Sequence, residues 1–67
     1  MRCDKCRKEL KEGETVYLQY LEAEVPDEFK SLKILCSQCH ESLPNDIQSE
    51  WEAGFVADGG FYPYSWD

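Results

Sequence analysis

Four cysteines carry the chemistry this sequence is able to do. Cys3 and Cys6 form one Cys-x-x-Cys pair, Cys36 and Cys39 form a second, and no other cysteine occurs in the 67 residues. A Cys-x-x-Cys pair places two thiols on one tight turn, and a connecting segment that doubles back brings the two turns together. Four thiolates so arranged suit one Zn²⁺, a borderline-soft ion that favours tetrahedral coordination by sulfur at about 2.3 Å. Such a shell is closed: it leaves no position for a substrate or an activated water, so the expected role of the metal is structural. The competing use of the cysteines, as two disulfides, belongs to oxidising compartments. Met1-Arg2-Cys3 leaves no room for a basic segment followed by an apolar one, and no run is long enough to cross a bilayer, so a cytoplasmic, metal-binding chain is expected.

His40 is the single histidine and directly follows Cys39. Cys36-Ser-Gln-Cys39-His40 also fits the pattern for covalent haem attachment, but that use would leave Cys3 and Cys6 without a role. As a replacement ligand His40 would displace a well-placed sulfur, so it is expected at the surface or behind the ligands. One histidine excludes HNH-type nuclease sites, and the zinc-deaminase pattern, a phosphate loop and a nucleophile elbow are all missing. The chain is expected not to be an enzyme.

A chain of this length supports one small domain, which buries too little apolar surface to be stable by packing alone and needs a staple. Its formal charge is −7, unevenly spread. Arg2, Lys5, Arg7, Lys8 and Lys11 make the first eleven residues basic, whereas no Lys or Arg follows Lys33 and Glu41, Asp46, Glu50, Glu52, Asp58 and Asp67 all do. A tetrathiolate zinc centre adds further negative charge. That field repels phosphate backbones, so nucleic-acid binding is disfavoured over most of the surface.

The elements that must position the cysteines read as follows. Residues 3–11 form the first metal-binding turn, and Lys11-Glu12-Gly13-Glu14 a tight turn with Gly13 suited to positive φ. Thr15 to Leu21, rich in β-branched and aromatic residues, reads as a strand, with Val16, Leu18 and Tyr20 on one face. Ser31 to Leu35 reads as its antiparallel return, after turn residues at 25–29. The second cysteine pair then opens a short helix over 37–43, stopped by Pro44. Asn45 as N-cap, Gln48 three residues on, and Ile47, Trp51 and Phe55 spaced four apart predict a second helix ending near Gly54. These elements make a zinc-binding domain over residues 1–53, followed by an acidic, aromatic C-terminal tail over 54–67. In that tail Phe61, Tyr62, Tyr64 and Trp66 either pack on the domain or bind a partner.

The order of knuckle, hairpin and helix, with Cys3-Asp-Lys-Cys6 in the first and Ile34-Leu-Cys36-Ser-Gln-Cys39-His40 leading into the last, resembles the treble-clef and zinc-ribbon type of small zinc-binding protein over residues 3–43. The resemblance implies a small zinc-stabilised α+β fold and assigns Cys3, Cys6, Cys36 and Cys39 as ligands. It implies no single function, because such modules serve many. The 29-residue interval from Arg7 to Leu35, the acidity and the aromatics also resemble rubredoxin, an iron electron carrier. Rubredoxins have a glycine after each cysteine pair, where this chain has Arg7 and His40. The expected function is that of a small adaptor or regulatory protein that meets a protein partner through acidic residues and the aromatics Trp51, Tyr62, Tyr64 and Trp66. The alternatives are a nucleic-acid-binding module working through the basic knuckle and a rubredoxin-like electron carrier.

Overall fold

A computed structural model describes residues 1–65. The chain runs β1 (Thr15–Gln19), α1 (Asp27–Lys30), β2 (Ile34–Cys36), α2 (Ser37–Glu41), α3 (Asn45–Gln48), β3 (Trp51–Ala57) and β4 (Gly60–Pro63). The strands form one antiparallel sheet in the order β2-β1-β3-β4. The described chain is therefore a small α+β domain. Its helices are single turns or little more, too short to persist without tertiary support. None is long and apolar enough to span a membrane.

β1 is central, and its register sets both faces of the sheet. Val16 lies opposite Cys36 and Gly54, and Tyr17 opposite Leu35 and Ala53. Cross-strand partners share a face, so Val16 marks the side carrying the second cysteine pair and Tyr17 marks the other. Val16 and Leu35 are both fully buried, which means that β1 and β2 are covered on both sides. The expected single buried face of β1 is thus corrected: Gln19, of opposite parity to Val16, is buried too, while Tyr20 falls beyond the strand and is exposed. Gln19 is satisfied there by donating Nε2–H to the Phe29 carbonyl (3.0 Å) and accepting from Lys33 Nζ (3.2 Å), bonds that hold the 20–33 connection against the sheet.

The predicted helix from Asn45 through Trp51 to Phe55 is not formed. α3 ends at Gln48, Pro44 rather than Asn45 occupies its N-cap with no side-chain cap, and Trp51–Ala57 is the longest strand of the sheet. The tertiary reason is that β1 still has a free edge after pairing with β2, and β3 fills it over five residue pairs. Gly54, which would weaken a helix interior, suits the strand, since the Phe61 ring lies where its side chain would be.

The boundary expected between residues 53 and 54 falls inside β3, so residues 54–63 belong to the sheet. Asp58 and Gly59, with φ of 52° and 74°, link β3 to β4. Positive φ at both central residues is the backbone that a two-residue hairpin between twisted strands requires, and Asp-Gly is among the sequences best suited to it. Gly13 adopts the positive φ expected of it, 86°. Asp4 occupies the β2 edge at Ile34, whose N–H and carbonyl it engages, and β4 ends in Pro63, which has no N–H to offer a further strand.

A methyl group at Gly54 would stand 2.5 Å from both Phe61 Cζ and the Tyr62 carbonyl oxygen. The second contact is backbone and cannot rotate away. Gly54→Ala is accordingly expected to destabilise the domain by about 1–3 kcal/mol, the usual range for overpacking, as read from the denaturant midpoint. An unchanged midpoint would contradict the close approach of β3 and β4.

Candidate metal centre

The four cysteines predicted from their spacing converge. Their sulfurs all lie within 4.8 Å of one another, and they form a metal-capable group among the described residues. All four are free thiols, and Cys6 Sγ stands 3.8 Å from Cys36 Sγ, far beyond a disulfide bond. A tetrahedron of sulfurs about 2.3 Å from a central ion has edges of about 3.8 Å, so this pair already has the spacing a four-coordinate ion requires. The site has the chemistry and the dimensions to hold one metal ion.

Each pair is presented by a different kind of backbone. Cys3 and Cys6 sit on a knuckle closed by two hydrogen bonds, Arg7 N–H to the Cys3 carbonyl (3.0 Å) and Cys3 N–H to the Lys8 carbonyl (2.9 Å), and flanked by the Arg2–Glu9 bridge. Completing that turn forces Arg7 to φ 66°, a left-handed conformation costly for any residue but glycine. Cys36 ends β2 in extended conformation and caps α2, whose first turn contains Cys39. His40 lies within that helix and needs no positive φ. The two halves of the site are thus a knuckle and a strand-to-helix junction.

Two sets of contacts lock these halves together, and a third ties the knuckle to β1. Asp4, inside the knuckle, accepts from the backbone N–H groups of Lys33 and Ile34, both at 3.0 Å, and donates its own N–H to the Ile34 carbonyl at 2.7 Å. Lys5 Nζ donates to Ser42 Oγ (2.8 Å), which donates in turn to the Cys39 carbonyl (2.7 Å). Lys8 pairs with Glu14 at 2.8 Å, joining the knuckle to the approach of β1. Each is exposed to the extent that it positions the turn more than it stabilises the fold, with the exception of Asp4, whose carboxylate accepts two backbone bonds. Asp4→Ala is expected to weaken metal affinity and to cost about 1–3 kcal/mol, with Asp4→Asn retaining part of both, in competition titration against a chromophoric chelator. Equal affinity in all three proteins would remove Asp4 from the account of the site.

Cys3, Cys36 and Cys39 are buried, whereas Cys6 is exposed. The electrostatics of the thiols are uneven. Burial works to raise the pKa of Cys3, but the backbone amides of Cys6, Cys36 and Lys5 outweigh it and lower the value to about 6. Two of those donors, the N–H groups of Lys5 and Cys6, lie 3.4 and 3.5 Å from its sulfur. Cys39 is pushed strongly upward by burial and then by the thiols of Cys36, Cys3 and Cys6. Four sulfurs this close cannot all ionise without a cation among them, and a divalent ion supplies the missing charge.

His40 is not at the surface. It is buried, its ring stacks on Tyr17 with centroids 3.8 Å apart, and its Nε2 is 2.8 Å from the Gln48 carbonyl oxygen. It connects α2 to the sheet and to the end of α3, and the four-sulfur group does not include it.

The aromatic residues expected at a partner surface are placed differently from one another. Trp51 is buried at 4% exposure, with its indole N–H donated to the Leu32 carbonyl (2.8 Å), and it cannot serve as an exposed anchor. Tyr62 and Tyr64 are exposed and flank Phe55, with centroids 5.9 and 5.7 Å from it, and the Tyr64 hydroxyl is 2.9 Å from Thr15 Oγ1. Trp66 lies outside the described residues. Leu21, expected at the end of the first strand, lies beyond it and is the most exposed large apolar side chain of the described residues.

No protein-family model matches the chain, and no curated protein or solved structure shows significant similarity to it. What the fold and the site define is a small α+β domain that brings four cysteines together where they could hold one metal ion.

Proposed function

We propose that this protein is a structural zinc module of treble-clef type that acts as a protein-interaction, adaptor or regulatory, component of the cytoplasm, and not as an enzyme. The observation that carries the metal reading is the convergence of four free sulfurs within 4.8 Å, two from a knuckle and two from a strand-to-helix junction. That asymmetry favours zinc over a rubredoxin-type iron. Two equivalent knuckles would require a left-handed residue after each pair, and here only Arg7 is left-handed while His40 is helical. Zinc held by four thiolates is redox-inert and coordinatively closed, so its contribution is to the fold. The second half of the chain is acidic, which suits electrostatic steering of a cationic partner, and exposed Leu21, Tyr62 and Tyr64 supply groups able to anchor it. Two cations of the basic knuckle are engaged within the fold, Lys5 by Ser42 and Lys8 by Glu14, which reduces what that segment offers to phosphate.

Elemental analysis of protein purified from its native cells tests the reading, and one zinc per chain is expected. Replacing Cys36 or Cys39 by Ser is expected to abolish that stoichiometry. His40→Ala is expected to retain it while losing stability, since it removes the stack on Tyr17 and a buried hydrogen bond. Protein containing iron with reversible one-electron chemistry would overturn zinc in favour of electron transfer. Loss of zinc in His40→Ala under conditions where the variant remains folded would overturn the four-sulfur ligand set.

A further inference from the structure

The ends of β1 and β3 meet on the side of the sheet remote from the 58–59 hairpin, and the loop that follows β1 is held in a defined shape there. Tyr20 N–H donates to the Glu50 carbonyl (3.0 Å), Ala23 N–H closes a turn on the Tyr20 carbonyl (3.2 Å), and Glu24 N–H donates to Glu50 Oε2 (3.1 Å). At the tip of that turn Leu21 is 101% exposed and Tyr20 46% exposed. Tyr20, Leu21, Glu22 and Glu50 line an open depression of about 560 Å³. A leucine held fully in water on an ordered turn gains nothing for the fold, and burial against a partner is the use that rewards it.

Charge identifies the partner. The lining offers two carboxylates, of Glu22 and Glu50, and no cation, and Glu24 stands beside it through its N–H bond to Glu50. Lys30, the basic residue nearest to Glu22 along the chain, is paired with Asp27 (3.6 Å), and Lys33 is engaged with Gln19 on the sheet. We infer that this depression docks a cationic segment of a protein partner, its Arg or Lys head groups paired with Glu22 and Glu50 and stacked on Tyr20, and its apolar side chains laid against Leu21. The inference rests on the interaction role proposed above and assigns that role to the β1 end of the sheet rather than to the Phe55–Tyr62–Tyr64 face.

The test is a heteronuclear NMR titration of the full zinc-loaded chain with the peptide acetyl-Arg-Leu-Arg-Leu-Arg-amide, and with its glutamate counterpart as control. Amide shifts confined to residues 20–24 and 50–52, produced by the arginine peptide alone and diminished by added salt, are expected. Leu21→Ser and Glu22→Lys alter exposed side chains, so they are expected to leave zinc content and melting temperature unchanged while weakening the peptide about tenfold each. Shifts centred on Phe55, Tyr62 and Tyr64, shifts spread evenly over the acidic surface, or no shifts at millimolar peptide would each overturn the inference. So would shifts at residues 20–24 that appear on concentrating the protein alone, which would identify a second copy as the occupant. Zinc content measured on the same samples separates the two readings, because failure of the metal reading appears in the metal analysis and failure of the docking site in the shift map at full occupancy.

Discussion

Removal of the metal is expected to unfold the protein. Structural zinc contributes an apparent binding free energy of about 10–16 kcal/mol near pH 7, comparable to or larger than the whole stability of a domain this size. The buried cluster itself explains the dependence: Cys3, Cys36 and Cys39 are part of it, alongside Val16, Leu35 and Trp51. Without a cation, four sulfurs within 4.8 Å of one another, three of them belonging to that cluster, have nothing to hold them together, and the knuckle loses an attachment to β2 and α2. Far-ultraviolet circular dichroism during titration with a strong chelator measures this, and a cooperative loss of signal is expected, restored by adding zinc. A chain that keeps its spectrum and its melting temperature after complete removal would show that packing alone holds the fold.

The same centre makes stability depend on pH in a determined direction. The metal binds thiolates, so protons compete with it, and affinity must fall as pH falls. In the folded arrangement Cys39 holds its proton well above neutrality, so a cation entering the site at pH 7 must displace it. Affinity is expected to fall steeply as pH drops from 7 to 5, measured by competition with a chelator of known protonation behaviour. An affinity independent of pH over that range would contradict ligation by thiolates.

Replacement of Trp51 by alanine is expected to cost about 3–5 kcal/mol, the range for truncating a buried large aromatic. The loss has three sources. The indole fills the junction between β3, the 20–33 connection and α2; its N–H satisfies the Leu32 carbonyl at 2.8 Å; and its ring meets His40 edge-on at 6.3 Å, beneath the His40–Tyr17 stack. Trp51→Phe retains most of the volume but leaves the Leu32 carbonyl unpaired, and should cost about 1–3 kcal/mol. Denaturant unfolding of the zinc-loaded proteins checks both. A Trp51→Ala protein as stable as its parent would return this residue to the surface and to partner binding, the role its type suggests when met in sequence.

The spacing of Cys3, Cys6, Cys36 and Cys39 made the metal site legible without coordinates, because two Cys-x-x-Cys turns joined by a hairpin-length segment have few other arrangements in so small a chain. Local signals were equally sufficient where local physics decides the outcome. Gly13 takes the positive φ of its turn, the strand expected over Thr15–Leu21 forms over Thr15–Gln19, the return expected over Ser31–Leu35 forms antiparallel to it over Ile34–Cys36, and a helix begins at the second cysteine pair. The segment from Asn45 to Phe55 went the other way because its signals conflict. Ile47, Trp51 and Phe55 recur every four residues as in a helix, yet Asp58-Gly59 just beyond them is a strong hairpin signal that requires strands on both sides.

Tertiary structure resolved that conflict. β1 had an unpaired edge after β2 was in place, and seven residues of strand bonded to β1 on one side and β4 on the other outweigh the modest helical preference of a segment interrupted by Gly54. The same pairing carried Trp51 inward and placed residues 54–57 and 60–63 in the sheet. It also decided two matters that the sequence leaves open. Arg7 is held left-handed because Cys3 and Cys6 must face one point, and Leu21 is left wholly in water because its turn is tied to Glu50 across the sheet end. Spacing along the chain determines which atoms are able to meet, whereas exposure and strain depend on what the rest of the fold places around them.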